Sequence, residues 1–280
     1  MRTNDASGKQ TPTQLLGLPA PAAPGMPLDT RLRSALLGES YLSGVFCGLH
    51  VPALIEMTAY AGFDFVVIDN EHGVASFETT EHMLRAARAS GIIPIVRCFE
   101  PDIARVLDAG ASGIKVPMVQ TPEQAERIAQ RLRYPRPAGQ IGLSGQRGSA
   151  FSTRAAGYGA FGGPSHNHRS NENIGFIAML ETPQAIEAAA EIASVEGVDA
   201  VFIGPNDLAH AMGHENRWHE APVQQAIERG IRTIADMGKC PGVLALDAES
   251  RQRYADWGAR YFANVASSLI MQAFEQAIKN

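Results

Sequence analysis

Cysteine is scarce in this chain. Cys47, Cys98 and Cys240 are the only three among 280 residues, an odd count with no C-x-x-C spacing. That argues against a disulfide framework or a thiolate zinc site and points to a reducing compartment, the cytosol. Lysine is scarce too, with Lys9, Lys115, Lys239 and Lys279 as the whole set. No basic block occurs, the net charge is −5 and the pI about 5.9, so nucleic acid is not an expected partner. No apolar run reaches the ~18 residues of a membrane span. The first residues also lack the apolar core of a secretion signal, so a cytoplasmic protein with no membrane partner is expected.

What is present is apolar material for a large core: 45% of residues are hydrophobic and 19% charged. Residues 1–27, ending in "LPAPAAPGMP", are rich in Pro, Ala and small polar residues and read as a poorly ordered leader. Residues 28–280 read as one domain. Within it, β-like runs at 44–49, 64–69, 93–98, 113–119, 175–180, 200–204, 241–246 and 261–266 alternate with amphipathic segments such as 78–89, 121–133 and 221–237. The runs are almost continuously apolar, as in a parallel sheet buried on both faces. Eight such strands with intervening helices predict a (β/α)8 barrel. A doubly wound open sheet competes, but no G-x-G-x-x-G follows the first strand. The connection at 134–173 is too long for a simple turn, and its glycines, Arg147 and Ser149 suggest a flap over the barrel mouth.

Active sites of such barrels lie at the C-terminal ends of the strands. There the sequence places Asp69, Glu71 and His72 in "VVIDNEHG", Arg97 in "IPIVRC", Glu181 in "MLETPQ", and Asn206 and Asp207 in "IGPNDLA". Each has a purely structural reading as well. Glu181 and Asp207 stand at helix starts, where acids complement the dipole. Arg97 could pair with Glu100 or Asp102, and His72 could be an exposed loop imidazole. Jointly they suit chemistry beside a keto acid. Two carboxylates can hold a hard divalent ion, Mg²⁺ or Mn²⁺, that polarises a carbonyl. An arginine can neutralise an enolate, and a histidine can move a proton near neutral pH.

Several segments carry a resemblance to a known family: "FDFVVIDNEHG", "VLDAGASGIKVPMVQTPEQAE", "ETPQAIEAAAEIASVEGVDAVFIGPNDLAHAMG" and "GVLALDAESRQRYADWGARYFANVASS". Over about residues 30–275 the chain resembles the HpcH/HpaI class II pyruvate aldolases. The resemblance implies a trimeric or hexameric (β/α)8 barrel whose subunits exchange the last helix. It implies a divalent ion (Mg²⁺, Mn²⁺ or Co²⁺) on Glu181 and Asp207. Arg97 would hold the keto-acid oxygen, and His72, supported by Asp69, would carry the proton. Asp108 would act on a neighbouring subunit's histidine, Glu71 would order water at the ion, and Asn206 and Asp207 would offer backbone contacts to substrate. The expected substrates are a 2-oxo acid and an aldehyde, joined or released as a 4-hydroxy-2-oxo acid. Two features depart from the pattern. Met179 stands where the family has a glutamine, and the loop "GLSGQRGSAFSTRAAGYG" replaces a shorter run, with Arg147, Gly148 and Ser149 expected to keep an anion-facing role. Two other readings compete. A siderophore-pathway branch that condenses oxaloacetate with acetyl-CoA shares "FDFVVID" and the methionine, and a non-catalytic keto-acid-binding barrel is also conceivable. A Schiff-base aldolase would need Lys115, the lysine that lies within a strand.

Overall fold

The computed structural model describes residues 26–279. The expected leader therefore lies almost wholly outside the described residues. Eight parallel strands close into a barrel in chain order: β1 Leu42–Cys47, β2 Phe65–Asp69, β3 Ile93–Arg97, β4 Gly113–Val116, β5 Gly175–Leu180, β6 Ala200–Ile203, β7 Cys240–Leu244 and β8 Tyr261–Val265. The helices are α1 Arg31–Leu37, α2 Pro52–Tyr60, α3 Phe77–Ser90, α4 Ile103–Asp108, α5 Pro122–Leu132, α6 Pro164–Asn173, α7 Pro183–Glu187, α8 Ala189–Ser194, α9 Pro205–Ala211, α10 Ala221–Asp236, α11 Ala248–Asp256 and α12 Ala266–Lys279. Their starts follow capping chemistry. Ser76, Thr121, Thr182 and Asp247 each accept the backbone N–H three residues on, which satisfies a donor that the first helical turn leaves free.

Strand parity divides the core in two. Ile68, Val96, Ile114, Ala178, Val201 and Val243 face outward, under the helices. Phe46, Phe65, Val67, Ile95, Ile177, Phe202 and Tyr261 fill the barrel itself. Rings of this size need facing positions without side chains. A Cβ on Gly44 would overlap the Phe65 ring, and one on Gly242 would overlap Tyr261 and Phe202. Gly44→Ala is expected to cost about 1–3 kcal/mol by overpacking, read as a lowered midpoint in urea. The N-terminal end is plugged by α1, whose Leu32 packs over Gly113 and Gly175.

The long connection differs from its expected place. It joins the C-terminus of α5 to the start of β5, so chain direction puts it at the N-terminal end of the barrel, opposite the mouth. Its contacts agree: Arg147 Nη2 pairs with Asp108 at 2.6 Å, Ala155 N–H donates to the Asp108 carbonyl, and Tyr134 is clasped by Asn171. It is also not structureless, since α6 and a 3₁₀ turn at Gly157–Gly159 lie within it.

The expected fourth strand, 113–119, stops at Val116. Pro117 has no N–H for the ladder. Met118 then turns left-handed, φ 54°, a conformation that strains a side-chain-bearing residue. The turn aims the Met118 N–H into the barrel mouth.

Candidate active site

Strand alternation brings side chains of β2, β3 and β5 to the mouth. Cross-strand register sets Asp69 opposite Arg97, and Arg97 opposite Lys115. Arg97 is almost fully buried. Its Nε donates to Asp69 Oδ1 at 2.8 Å, and Nη2 donates to Oδ2, a two-pronged grip. Nη1 lies 2.9 Å from Glu71 Oε2. That oxygen makes no hydrogen bond, so the contact is an ion pair with poor alignment. Glu100, the alternative partner, is taken by Arg127 and Arg131 at 3.0 and 2.7 Å.

Asp69 also accepts the backbone N–H of Glu71 at 3.1 Å and of His72 at 3.4 Å. Burial alone would raise its pKa, but the hydrogen bonds and charge of Arg97, with those two N–H groups, outweigh it and hold the carboxyl below the usual range. The expected support of the His72 ring by Asp69 is not in the structure: Asp69 is committed to Arg97 and meets His72 through the backbone. The carboxylate nearest the imidazole is Glu71, Oε2 to Nε2 3.8 Å. Burial raises the pKa of Glu71, with Asp69 and Asp207 adding to it and Arg97 and His72 opposing.

Glu181 follows β5 and is 3% exposed. It does not cap a helix, since Thr182 fills that role for α7. Its Oε2 accepts the Met118 N–H at 2.7 Å, and Oε1 lies against Gly204, where a Cβ would be 2.7 Å away. Burial lifts its pKa to about 7. The Met118 bond lowers it, the charges of Asp207 and Glu71 raise it further, and Arg97 opposes them. Asp207 stands in the first turn of α9.

A cavity of about 290 Å³ lies among these groups, lined by Asp69, His72, Arg97, Glu181, Asn206 and Asp207 on its polar side, with apolar Met179 beside them. Phe46, Phe202, Leu244 and Val265 make an apolar wall, and Ser267 joins from α12. The wall and Ser267 escaped the sequence reading, which followed polar residues at strand ends. Inward parity along β1, β6, β7 and β8 was the signal that would have found the wall. Three expected residues are elsewhere. Asp108 borders a separate cavity of about 560 Å³ beside α3 and α4. Gly148 and Ser149 sit in the α5–β5 connection, where Ser149 pairs with Asn167, so within one chain they cannot touch a ligand at the mouth.

A concentration of carboxylates with one arginine suits a hard cation. Glu181 and Asp207 provide oxygen donors only, and the charges of Asp207 and Glu71 add to the burial that raises Glu181. No group of three or more His, Cys, Asp or Glu poised to hold a metal exists among the described residues. An ion held by the oxygens of Glu181 and Asp207 would keep its other positions for water or substrate oxygens.

The fold and its cavity define a (β/α)8-barrel enzyme with its polar groups at the C-terminal ends of the strands. The profile of the HpcH/HpaI aldolase/citrate lyase family matches residues 42–271, and the chain belongs to that family. A hydroxypyruvate/pyruvate aldolase of Delftia acidovorans is 38% identical over 245 residues, 86% of this chain and 88% of the relative. Among solved structures, an HpcH/HpaI aldolase/citrate lyase family protein from Burkholderia cenocepacia superposes with TM-score 0.83 at 29% identity, covering 90% of this chain and 98% of the other. The citrate synthase SbnG superposes with TM-score 0.75 at 30% identity, covering 89% and 94%. Among the described residues no helix is long and apolar enough to cross a membrane.

Proposed function

We propose that the chain is a metal-dependent pyruvate aldolase that cleaves or forms 4-hydroxy-2-oxo acids. The observation that carries this is Arg97. It is fixed by Asp69 and Glu71, yet it still lines the cavity that holds Glu181 and Asp207. Two of its donors are spent on Asp69 and Nη1 faces Glu71, which leaves the Nη hydrogens not turned to either acid for a substrate oxygen. Mg²⁺, Mn²⁺ or Co²⁺ held by Glu181 and Asp207 would polarise the 2-oxo group when bound. In the cleavage direction His72, whose side chain is 62% exposed at the cavity edge, takes the proton of the 4-hydroxyl. The C3–C4 bond then breaks and the aldehyde leaves. The charge that develops on the 2-oxo oxygen is stabilised by Arg97, already oriented, until C3 is protonated. The apolar wall of Phe46, Leu244 and Val265 excludes water from the nascent enolate and bounds the acceptor. Pyruvate release from a panel of 4-hydroxy-2-oxo acids, with and without a chelator, tests the reading. Full activity after chelation sinks the metal, and no release from any member sinks the aldolase.

A citrate-type condensation is the second reading. Met179 lines the cavity, and the relatedness to SbnG favours it. Thiol release from acetyl-CoA with oxaloacetate separates the two.

A homo-oligomer in which α12 is exchanged belongs to the same proposal. Of α12 only Ala266 is buried, while Met271, Phe274 and Ile278 stand 54%, 59% and 87% exposed. Phe99 and Val74 are exposed beside the mouth, apolar surface of the kind that marks an interface. Phe274→Asp is expected to convert the assembly to smaller species by light scattering. It should also lower activity, because Ser267 and Val265 at the root of α12 line the cavity.

A further inference from the structure

His50 follows β1 and has no part in the chemistry above. The β1–β2 ladder ends at the pair Cys47 and Ile68. One residue further on, the His50 ring takes the place of the strand: its Nε2 donates to the Asp69 carbonyl at 2.9 Å. A carbonyl only accepts, so Nε2 carries the hydrogen. Nδ1 is buried without a partner, so the Asp69 bond is the ring's single hydrogen bond among the described residues. The other side of the ring packs on Gly73. A Cβ there would overlap His50 Cε1 and stand 2.7 Å from the Asp69 carbonyl oxygen. The imidazole therefore touches both ends of the turn 69–73.

That turn carries His72 to the cavity edge, and little else holds it. From Glu71 to Ala75 the main chain makes no hydrogen bond to other main chain among the described residues. The N–H groups of Glu71 and His72 both go to Asp69 Oδ1, so the turn hangs on Asp69. On the β3 side Asn70 is tied down, its N–H on the Arg97 carbonyl at 2.9 Å and its side-chain oxygen on the Thr80 hydroxyl. His50 is the matching tie from the β1 side.

We propose that His50 is a positioning residue for His72. By closing the neck of the 69–73 turn it fixes the main chain from which the proton carrier projects. It does not line the cavity itself. This rests on the reading that His72 moves the proton of the 4-hydroxyl, but pinning the turn needs no substrate.

The test compares His50→Phe, which keeps a ring without the donor, with His50→Gln, whose amide nitrogen donates from nearly the place of Nε2. Deuterium uptake over residues 69–76 is expected to rise in His50→Phe and to return towards wild type in His50→Gln. In His50→Phe, kcat for pyruvate release from a 4-hydroxy-2-oxo acid should fall about 10–10²-fold with KM little changed, and His50→Gln should restore most of it. In a His72→Ala background His50→Phe should cost nothing further, because its effect passes through His72. Unchanged uptake in His50→Phe, a loss that glutamine does not restore, or a further loss in the His72→Ala background overturns the role. Uptake needs no turnover, so it decides the pin even in a protein that releases no pyruvate. Failure of the underlying reading looks different. Wild-type release by His72→Ala removes the proton carrier and with it the purpose of the pin, whereas a slow His72→Ala beside a normal His50→Phe removes the His50 role alone.

Discussion

Arg97→Ala is expected to abolish exchange of the pyruvate methyl protons, with a loss of at least about 10²–10³ in rate. The exchange isolates enolate formation, so it reads the group that stabilises the enolate and ignores the aldehyde. The same variant is expected to lose stability. Arg97 is buried between Asp69 and Glu71, and its removal leaves two carboxylates without a cation. Breaking a buried pair by removing one partner costs about 3–5 kcal/mol. The sign with pH follows from Asp69, which Arg97 holds below the usual carboxylate range. Its contribution is complete above the unfolded pKa of about 3.9 and is lost as pH falls through the lower folded value. The alanine variant should therefore lose most stability near neutrality and little in strong acid. Arg97→Lys separates folding from catalysis. It keeps a cation between the two acids but cannot make the two-pronged contact while still facing the cavity. A folded Arg97→Lys protein with near-normal proton exchange would sink the orienting role given to the guanidinium.

The barrel was legible because buried parallel strands must be almost wholly apolar, and "DFVVID" or "GFIAML" hardly admits another reading. The polar strand ends were legible for the same reason: Asp69, Arg97 and Glu181 interrupt runs that otherwise contain nothing to hydrate. Helices without such contrast were missed. The α6 segment, "PSHNHRSNEN", has no apolar stripe and is held by tertiary bonds, such as Asn171 on Tyr134. Direction misled the reading of the long connection. Glycines and arginines looked like a flap, but a helix-to-strand link is bound to the N-terminal end. The pairing of Asp69 with Arg97 rather than with the His72 ring depended on cross-strand register, which spacing along one strand does not reveal. Phe46 and Phe202 looked like filler, and only closure of the barrel turns them into cavity wall.

Glu181→Gln is expected to move stability and metal affinity in opposite senses. In the metal-free protein the carboxyl titrates near 7 when folded and near 4.5 when unfolded. Between those values the native state binds more protons than the unfolded chain, so stability falls as pH rises across the window. Above about 7 the whole penalty is present, about 3 kcal/mol from the difference of the two values. Glutamine removes it, because its side-chain oxygen still accepts the Met118 N–H and nothing ionises. The variant should thus be more stable than metal-free wild type at about pH 8 and equal to it at about pH 4, on the scale of that same shift. A divalent ion reverses the order. It needs the carboxylate, so wild-type affinity should fall about tenfold per pH unit below about 7. Glu181→Gln should bind Mn²⁺ weakly at every pH and gain no thermal stability from it. Calorimetric Mn²⁺ titrations and denaturation midpoints at about pH 5.5 and about pH 8 measure both halves. Equal Mn²⁺ affinity in the two proteins would remove Glu181 from the metal site. A metal-free wild type no less stable at the higher pH would show that the buried carboxylate is compensated by a cation other than the ion it is proposed to bind.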